Sequence, residues 1–137
     1  MIKPELLAPA GDMERLTFAI NYGADAVYLG GKAFGMRANP ENFTLEELKT
    51  AVDYAHSKGV KVYLTANIVA HNSDINKYES FIKSAYECGI DAAIVSDLGL
   101  MSLTKKYVPD LDIHISTQAG VANYVTANEL YNMGAKR

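Results

Sequence analysis

The sequence predicts an α/β fold: a segment of a parallel (β/α) barrel of TIM-barrel-like type, with about five strands of an incomplete barrel. The first observation is a recurring phrase in which a helix end meets a glycine and then a strand. It reads Asn21-Tyr22-Gly23-Ala24-Asp25-Ala26-Val27-Tyr28-Leu29, Lys58-Gly59-Val60-Lys61-Val62-Tyr63-Leu64 and Cys88-Gly89-Ile90-Asp91-Ala92-Ala93-Ile94-Val95. A glycine just past a helix supplies the left-handed cap that turns the chain back toward a sheet. The second observation is that helical stretches separate the strands, which demands crossovers between parallel neighbours. The third is alternation within strands. Val60, Val62, Leu64 and Ala66 point one way while Lys61, Tyr63, Thr65 and Asn67 point the other, and Ile113 and Ile115 oppose His114 and Ser116. Strands buried on both faces of an open doubly wound sheet would be apolar throughout, whereas one mixed polar face suits a barrel lining. A further copy of the phrase, Tyr131-Asn132-Met133-Gly134-Ala135, runs into Lys136-Arg137 and announces a sixth strand. The 137 residues are therefore expected to form a single domain, 1–137, the amino-terminal part of a barrel cut before that strand.

Taken in order, Leu6 to Ala10 reads as a short first strand that ends at Gly11-Asp12, with Asp12 capping a helix through Asn21. Ala26 to Leu29 is the second strand, and the loop Gly30-Gly31-Lys32-Ala33-Phe34-Gly35 follows it. Thr44-Leu45-Glu46-Glu47 is a capping box for a helix to Ser57, with Leu45, Leu48, Val52 and Ala55 at helical spacing. The third strand runs from Val60 to Ala66, and Ser73 or Asp74 starts a helix to Glu87. Ala92 to Val95 is the fourth strand, followed by a helix from Ser96-Asp97-Leu98-Gly99 to Lys106. Ile113 to Ser116 is the fifth strand, and a last helix spans Asn123 to Met133.

Composition narrows the function. Apolar residues make up 49% and charged residues 21%, and the net charge is −3, which argues against strong binding of nucleic acid or anionic membrane by this segment alone. No stretch reads as a signal core or membrane span, so cytoplasm is expected. One cysteine, Cys88, makes neither an internal disulfide nor a zinc or iron–sulfur site, and no metal ligand set is expected.

Ligands of barrels and open α/β sheets bind at the carboxyl ends of the strands. Polar residues there are Asn67, Asp97, Ser116 and Gln118. They read either as amides and a carboxylate around a small polar ligand or as caps of the following helices. Glutamine is a poor cap, which favours a binding role for Gln118. Arg37, in the loop after the second strand, reads either as a clamp for an anionic group or as a surface arginine. His71 lies on the same edge and is a candidate acid or base beside Asp97. The Gly30-Gly31-Lys32 loop lacks the spacing of a phosphate-binding loop and reads as tight-turn glycines. His56 suits the helix dipole, and the His114/Ser116 pair has no nucleophile elbow around it. The expected site is thus Asp97 or His71 moving protons, Arg37 binding an anionic group, and Asn67, Ser116 and Gln118 binding and orienting substrate.

Glu5-Leu6-Leu7-Ala8-Pro9-Ala10-Gly11, Gly23-Ala24-Asp25-Ala26-Val27-Tyr28-Leu29-Gly30, Phe34-Gly35-Met36-Arg37-Ala38 and Ser116-Thr117-Gln118 together resemble the amino-terminal half of the collagenase-like peptidases, peptidase family U thirty-two. The resemblance implies a peptidase whose parent acts through the carboxyl-end face of the barrel, this segment alone being inactive. It also implies an alternative, because several members are instead implied in oxygen-independent hydroxylation of transfer or ribosomal RNA pyrimidines or of a quinone precursor. In those, cysteines in a later part of the chain hold a four-iron cluster, so an iron–sulfur cofactor is expected in the full-length parent and none in this segment. A third reading is a non-catalytic half-barrel that self-associates through exposed strand edges. The expected partners are accordingly the remaining half of the barrel, a second copy, and a peptide or RNA substrate.

Overall fold

The computed structural model describes residues 3–36 and 42–137. Five strands, β1 (Leu7–Pro9), β2 (Ala26–Gly30), β3 (Lys61–Ala66), β4 (Ala92–Val95) and β5 (Asp112–Ile115), alternate with α1 (Met13–Asn21), α2 (Leu45–Ser57), α3 (Asn72–Glu87), α4 (Leu98–Tyr107) and α5 (Tyr124–Asn132). Every strand pair is parallel and the spatial order is β1-β2-β3-β4-β5. This order separates the two architectures. A doubly wound sheet reverses its winding direction at a switch point, whereas a barrel adds each strand beside the last. Past α5, the Lys136 amide donates to Ile113 O at 2.8 Å and the Ile115 amide to Arg137 O at 2.7 Å, so the chain returns alongside β5 in the same direction.

The alternation read from β3 sorts the two faces. Val27, Leu29, Val62, Leu64, Ala66, Ala93, Val95 and Ile113 are buried in one cluster with Leu16, Leu48, Val52, Tyr78, Ile82, Leu100 and Leu130 of the helices. The opposite face holds a small cluster of Ala26, Tyr63 and Ala92, with Leu7 and Ile94 against it. All five helices therefore pack on one side, and the other side is the concave lining. The recurring glycine works as expected: Gly23, Gly59, Gly89 and Gly134 sit at φ +93°, +73°, +94° and +110°. Each follows a helix and lies in the region where a Cβ is penalised.

The capping signals fall where the side chains dictate. Asp12 accepts the Arg15 amide at 2.7 Å, and Thr44 and Glu47 exchange reciprocal bonds across the start of α2. Helix α3 begins earlier than expected. His71 occupies the cap position, and Asp74, expected as a possible cap, instead reaches back to accept the His71 amide at 2.8 Å. A 3-10 turn, Thr117–Ala119, follows β5 and ends at Gly120 with φ +66°.

The loop after β2 turns at residues 32–34, directly after Gly30-Gly31. Gly30, Gly31 and Gly35 do not use left-handed backbone. A Cβ at Gly30 would lie 3.4 Å from Thr65 Oγ1 and Asn42 Oδ1, and one at Gly35 would lie 3.5 Å from Gly31 O, both ordinary contact distances. Among the described residues of this loop, Phe34 holds a positive φ, +62°.

Candidate functional site

At the carboxyl ends of β3, β4 and β5 the structure joins three of the expected residues into one network. Asn67 Nδ2 faces Ser116 Oγ at 3.5 Å, and Ser116 Oγ donates to Gln118 Oε1 at 3.2 Å. Asn67 Oδ1 accepts the Met36 amide at 3.2 Å, and the Asn67 carbonyl accepts Ser96 Oγ at 3.1 Å. Gln118 Nε2 in turn rests against Met36 Sδ. Strand order explains the convergence, because residues one step past the paired ends of β3, β4 and β5 share a level on the concave face. The 3-10 turn after β5 folds Gln118 back toward Ser116. Met36 and Ser96 are members that the sequence did not single out. Met36 carries no pattern signal, since its role is a backbone amide delivered by the β2–α2 loop.

The other expected residues lie elsewhere. Asp97 is the N-cap of α4, its Oδ1 accepting the Leu100 amide at 2.8 Å. His71 is exposed at the start of α3. Neither is hydrogen-bonded to the Asn67–Ser116–Gln118 network among the described residues. Arg37 lies outside the described residues.

A second cluster fills the concave face near the amino ends of the strands. Glu5 accepts the Tyr63 hydroxyl at 2.9 Å and an Arg137 N–H at 2.7 Å, while the Arg137 guanidinium lies 5.4 Å from the Tyr63 ring centroid. His114 meets the same ring edge-on, with centroids 4.6 Å apart. Arg137 holds the Glu5 carboxyl below its ordinary value, with Tyr63 assisting and burial opposing. Burial, reinforced by Glu5, pushes the Tyr63 phenol up to about 12. Burial and then the Arg137 charge push the His114 imidazole down, which favours its neutral form. This cluster ties β1, β3, β5 and the returning terminus together, and it sits at the end of the sheet opposite to ligand binding.

The network at the carboxyl edge is neutral and made of amides and hydroxyls. Among the described residues no hydrogen bond joins Ser116 to a histidine, and no group of three or more His, Cys, Asp or Glu side chains could hold a metal ion. A nucleophilic serine needs an adjacent base, and a metal-activated water needs such a ligand set. Cys88 does not fit an iron–sulfur cluster. It is the single cysteine, it is partly buried 3.6 Å from the Leu45 carbonyl, and burial pushes its thiol pKa up, against the thiolate a cluster requires.

A family model, Peptidase family U32, matches residues 11–137. The chain belongs to peptidase family U32. A U32 peptidase of known structure superposes with a TM-score of 0.78 at 18% identity, covering 97% of this chain and 56% of that one, and other solved neighbours are TIM-barrel-like. Among curated relatives, an uncharacterized protease of Methanocaldococcus jannaschii is 47% identical over 137 residues, covering 100% of this chain and 33% of the relative. The tRNA hydroxylation protein P of Escherichia coli is 39% identical over 137 residues, covering 100% of this chain and 30% of the relative. This U32 chain thus spans about a third of the length of these relatives. No helix among its described residues is long and apolar enough to cross a membrane.

Proposed function

We propose that this chain is the amino-terminal part of an enzyme that hydroxylates a pyrimidine of RNA, and that the edge formed by Asn67, Ser116 and Gln118 orients the base. The observation that carries this reading is the match, over the full length of the chain, to a tRNA hydroxylation protein at 39% identity. The site chemistry supports it. Each side-chain amide offers a donor pair and an acceptor, which is what the hydrogen-bonding edge of an unpaired pyrimidine presents in reverse. Asn67 and Gln118 each use one N–H and one lone pair within the network, and the second N–H and second lone pair of each would be offered to a base. Asp97 caps α4 through Oδ1, so Oδ2 is the atom that would contact substrate or hold a proton. The iron–sulfur cluster implied for the parent would take its ligands from residues outside this chain, and it would supply electrons for redox chemistry.

A peptidase remains the second reading, favoured by the family's name and by the 47% identical uncharacterized protease. It requires the rest of the parent to bring a nucleophile or activated water to this edge. One experiment separates the two. The gene containing this chain is deleted and restored in its host, and nucleosides from digested RNA are weighed by mass spectrometry. The hydroxylase reading expects a pyrimidine nucleoside heavier by one oxygen that disappears with the gene and returns with it. An unchanged nucleoside profile, with gelatin cleavage by the purified parent, would establish the peptidase instead.

A further inference from the structure

A second cavity lies on the helix side of the same edge, and nothing in the proposed chemistry uses it. It has a volume of about 420 Å³ and opens between the start of α2 and the middle of α3, walled by the loop that follows β2. Its floor is Phe43, Leu48 and Leu64, and its aromatic wall is Phe34 and Phe81, whose ring centroids are 4.6 Å apart. Lys32 and Lys77, both exposed, stand at the lining, as does the start of α2 at Thr44 and Leu45.

From this juxtaposition of aromatic wall and cationic rim, and resting on the hydroxylase reading, we propose that the cavity takes one unpaired nucleotide of the RNA substrate, next to the nucleotide presented to Asn67 and Gln118. The volume is in the range of small-molecule sites and suits one nucleotide rather than a peptide helix. The rim is cationic: two ammonium groups and a helix amino terminus attract a phosphate. Counter-charge is present in the first turn of α2, at Glu46 and Glu47; Glu47 lies close enough to Lys32 for that ammonium to help depress its carboxyl, although it is chiefly engaged by Thr44. Lys77 makes no ion pair among the described residues and lines the cavity. Phenylalanine rings are platforms on which any base stacks.

The loop supplies the link to the active edge. Phe34 lines the cavity while its carbonyl accepts the Ile68 amide at 3.2 Å, and two residues on, the Met36 amide bonds Asn67. One short loop therefore borders both the cavity and the Asn67 edge, as a strand that crosses it with adjacent nucleotides would require. Phe34 holds a φ of +62°, and its ring is pinned between Tyr78 at 5.2 Å and Phe81. A bulky residue in left-handed backbone is strained, and such strain gathers at ligand clamps.

The test uses the full gene product that contains this chain and a fluorescent single-stranded uridine decamer, with anisotropy read over a range of salt concentrations. The Lys32→Ala/Lys77→Ala double variant should bind on the order of tenfold or more weaker, with a salt slope shallower by about 1.4, as expected for two lost phosphate contacts. Phe81→Leu, which keeps apolar volume but removes the π face, should also weaken binding at an unchanged salt slope. A 4-thiouridine decamer should crosslink to the peptide carrying Phe34 or to that carrying Phe81. The inference is overturned if the parent hydroxylates RNA yet both variants bind as wild type, or if crosslinks map elsewhere. It is equally overturned if a polyglutamate peptide, and not RNA, protects these peptides. If the parent neither binds nor modifies RNA, the hydroxylase reading itself falls, and this inference with it.

Discussion

Tyr78 and Thr104 share a buried hydrogen bond of 2.6 Å whose direction is set by a third group. Thr104 spends its one hydroxyl proton on the Leu100 carbonyl at 2.7 Å, so Tyr78 donates and Thr104 accepts. The pair pins α3 to α4 beneath the sheet, and burial pushes the Tyr78 phenol up to about 12. Removing the two partners should therefore have unequal effects. Tyr78→Phe leaves Thr104 bonded to Leu100 and should cost about 1 kcal/mol. Thr104→Val leaves the Tyr78 hydroxyl buried without an acceptor and should cost about 1–3 kcal/mol. Urea unfolding of both variants checks the order, and the reverse order would show that Tyr78 finds another acceptor.

The Glu5–Arg137 pair makes a pH prediction. The folded pKa of Glu5 is depressed below its ordinary value of 4.5, chiefly by Arg137. A depressed carboxylate contributes stability that is present above the unfolded pKa and is lost as pH falls through the folded one. Asp25 behaves alike, held down first by the Leu6 amide and then by Lys3. The melting temperature should thus fall as pH is lowered from 5 toward about 3. Glu5→Gln should lower it at neutral pH and flatten that acid limb. Parallel wild-type and variant profiles would deny the pair a role.

Much of the fold was legible because it is written locally. The helix-glycine-strand phrase, the Thr44 capping box and the alternation in β3 each specify backbone or face within a few residues. Asn67, Ser116 and Gln118 were legible as a set because parallel strands bring their carboxyl ends to one level. What was not legible depends on distant partners. Met36 joins the site through an amide that every residue but proline has. The His71 cap is hidden because Asp74, three residues on, supplies the bond.

His56 shows the same limit and yields a further prediction. The sequence offers it only a helix-dipole role, but its Nε2 lies 2.8 Å from Asp91 Oδ2, which also accepts the Val62 amide at 2.7 Å. Asp25 accepts the Leu6 amide at 2.8 Å in the equivalent place, so an aspartate two residues past the glycine clamps the start of the preceding strand. Asp91→Ala should therefore destabilise more than His56→Ala, by roughly 1 kcal/mol, since it orphans a strand amide as well as breaking an exposed side-chain hydrogen bond. Equal melting temperatures for the two variants would refute the clamp.

Asp97 has a structural duty that any functional test must respect. Asp97→Ala removes the α4 cap and should cost about 1 kcal/mol whatever its effect on activity. Asp97→Asn keeps the cap acceptor and removes the charge. In the full parent, Asp97→Asn should reduce hydroxylation with the melting temperature nearly unchanged. Full activity in that variant would leave Asp97 a cap alone.

The central claim, that the Asn67–Ser116–Gln118 edge orients an RNA base, is tested most directly at Gln118, which is exposed and caps no α-helix. Cells lacking the parent gene would be restored with wild type or with Gln118→Ala at matched protein level, and the hydroxylated pyrimidine per tRNA weighed by mass spectrometry. The account expects a loss of at least tenfold in the variant, with its melting temperature within a degree or two of wild type, since a surface change of under about 0.5 kcal/mol moves it little. Wild-type levels of the hydroxylated nucleoside would contradict it.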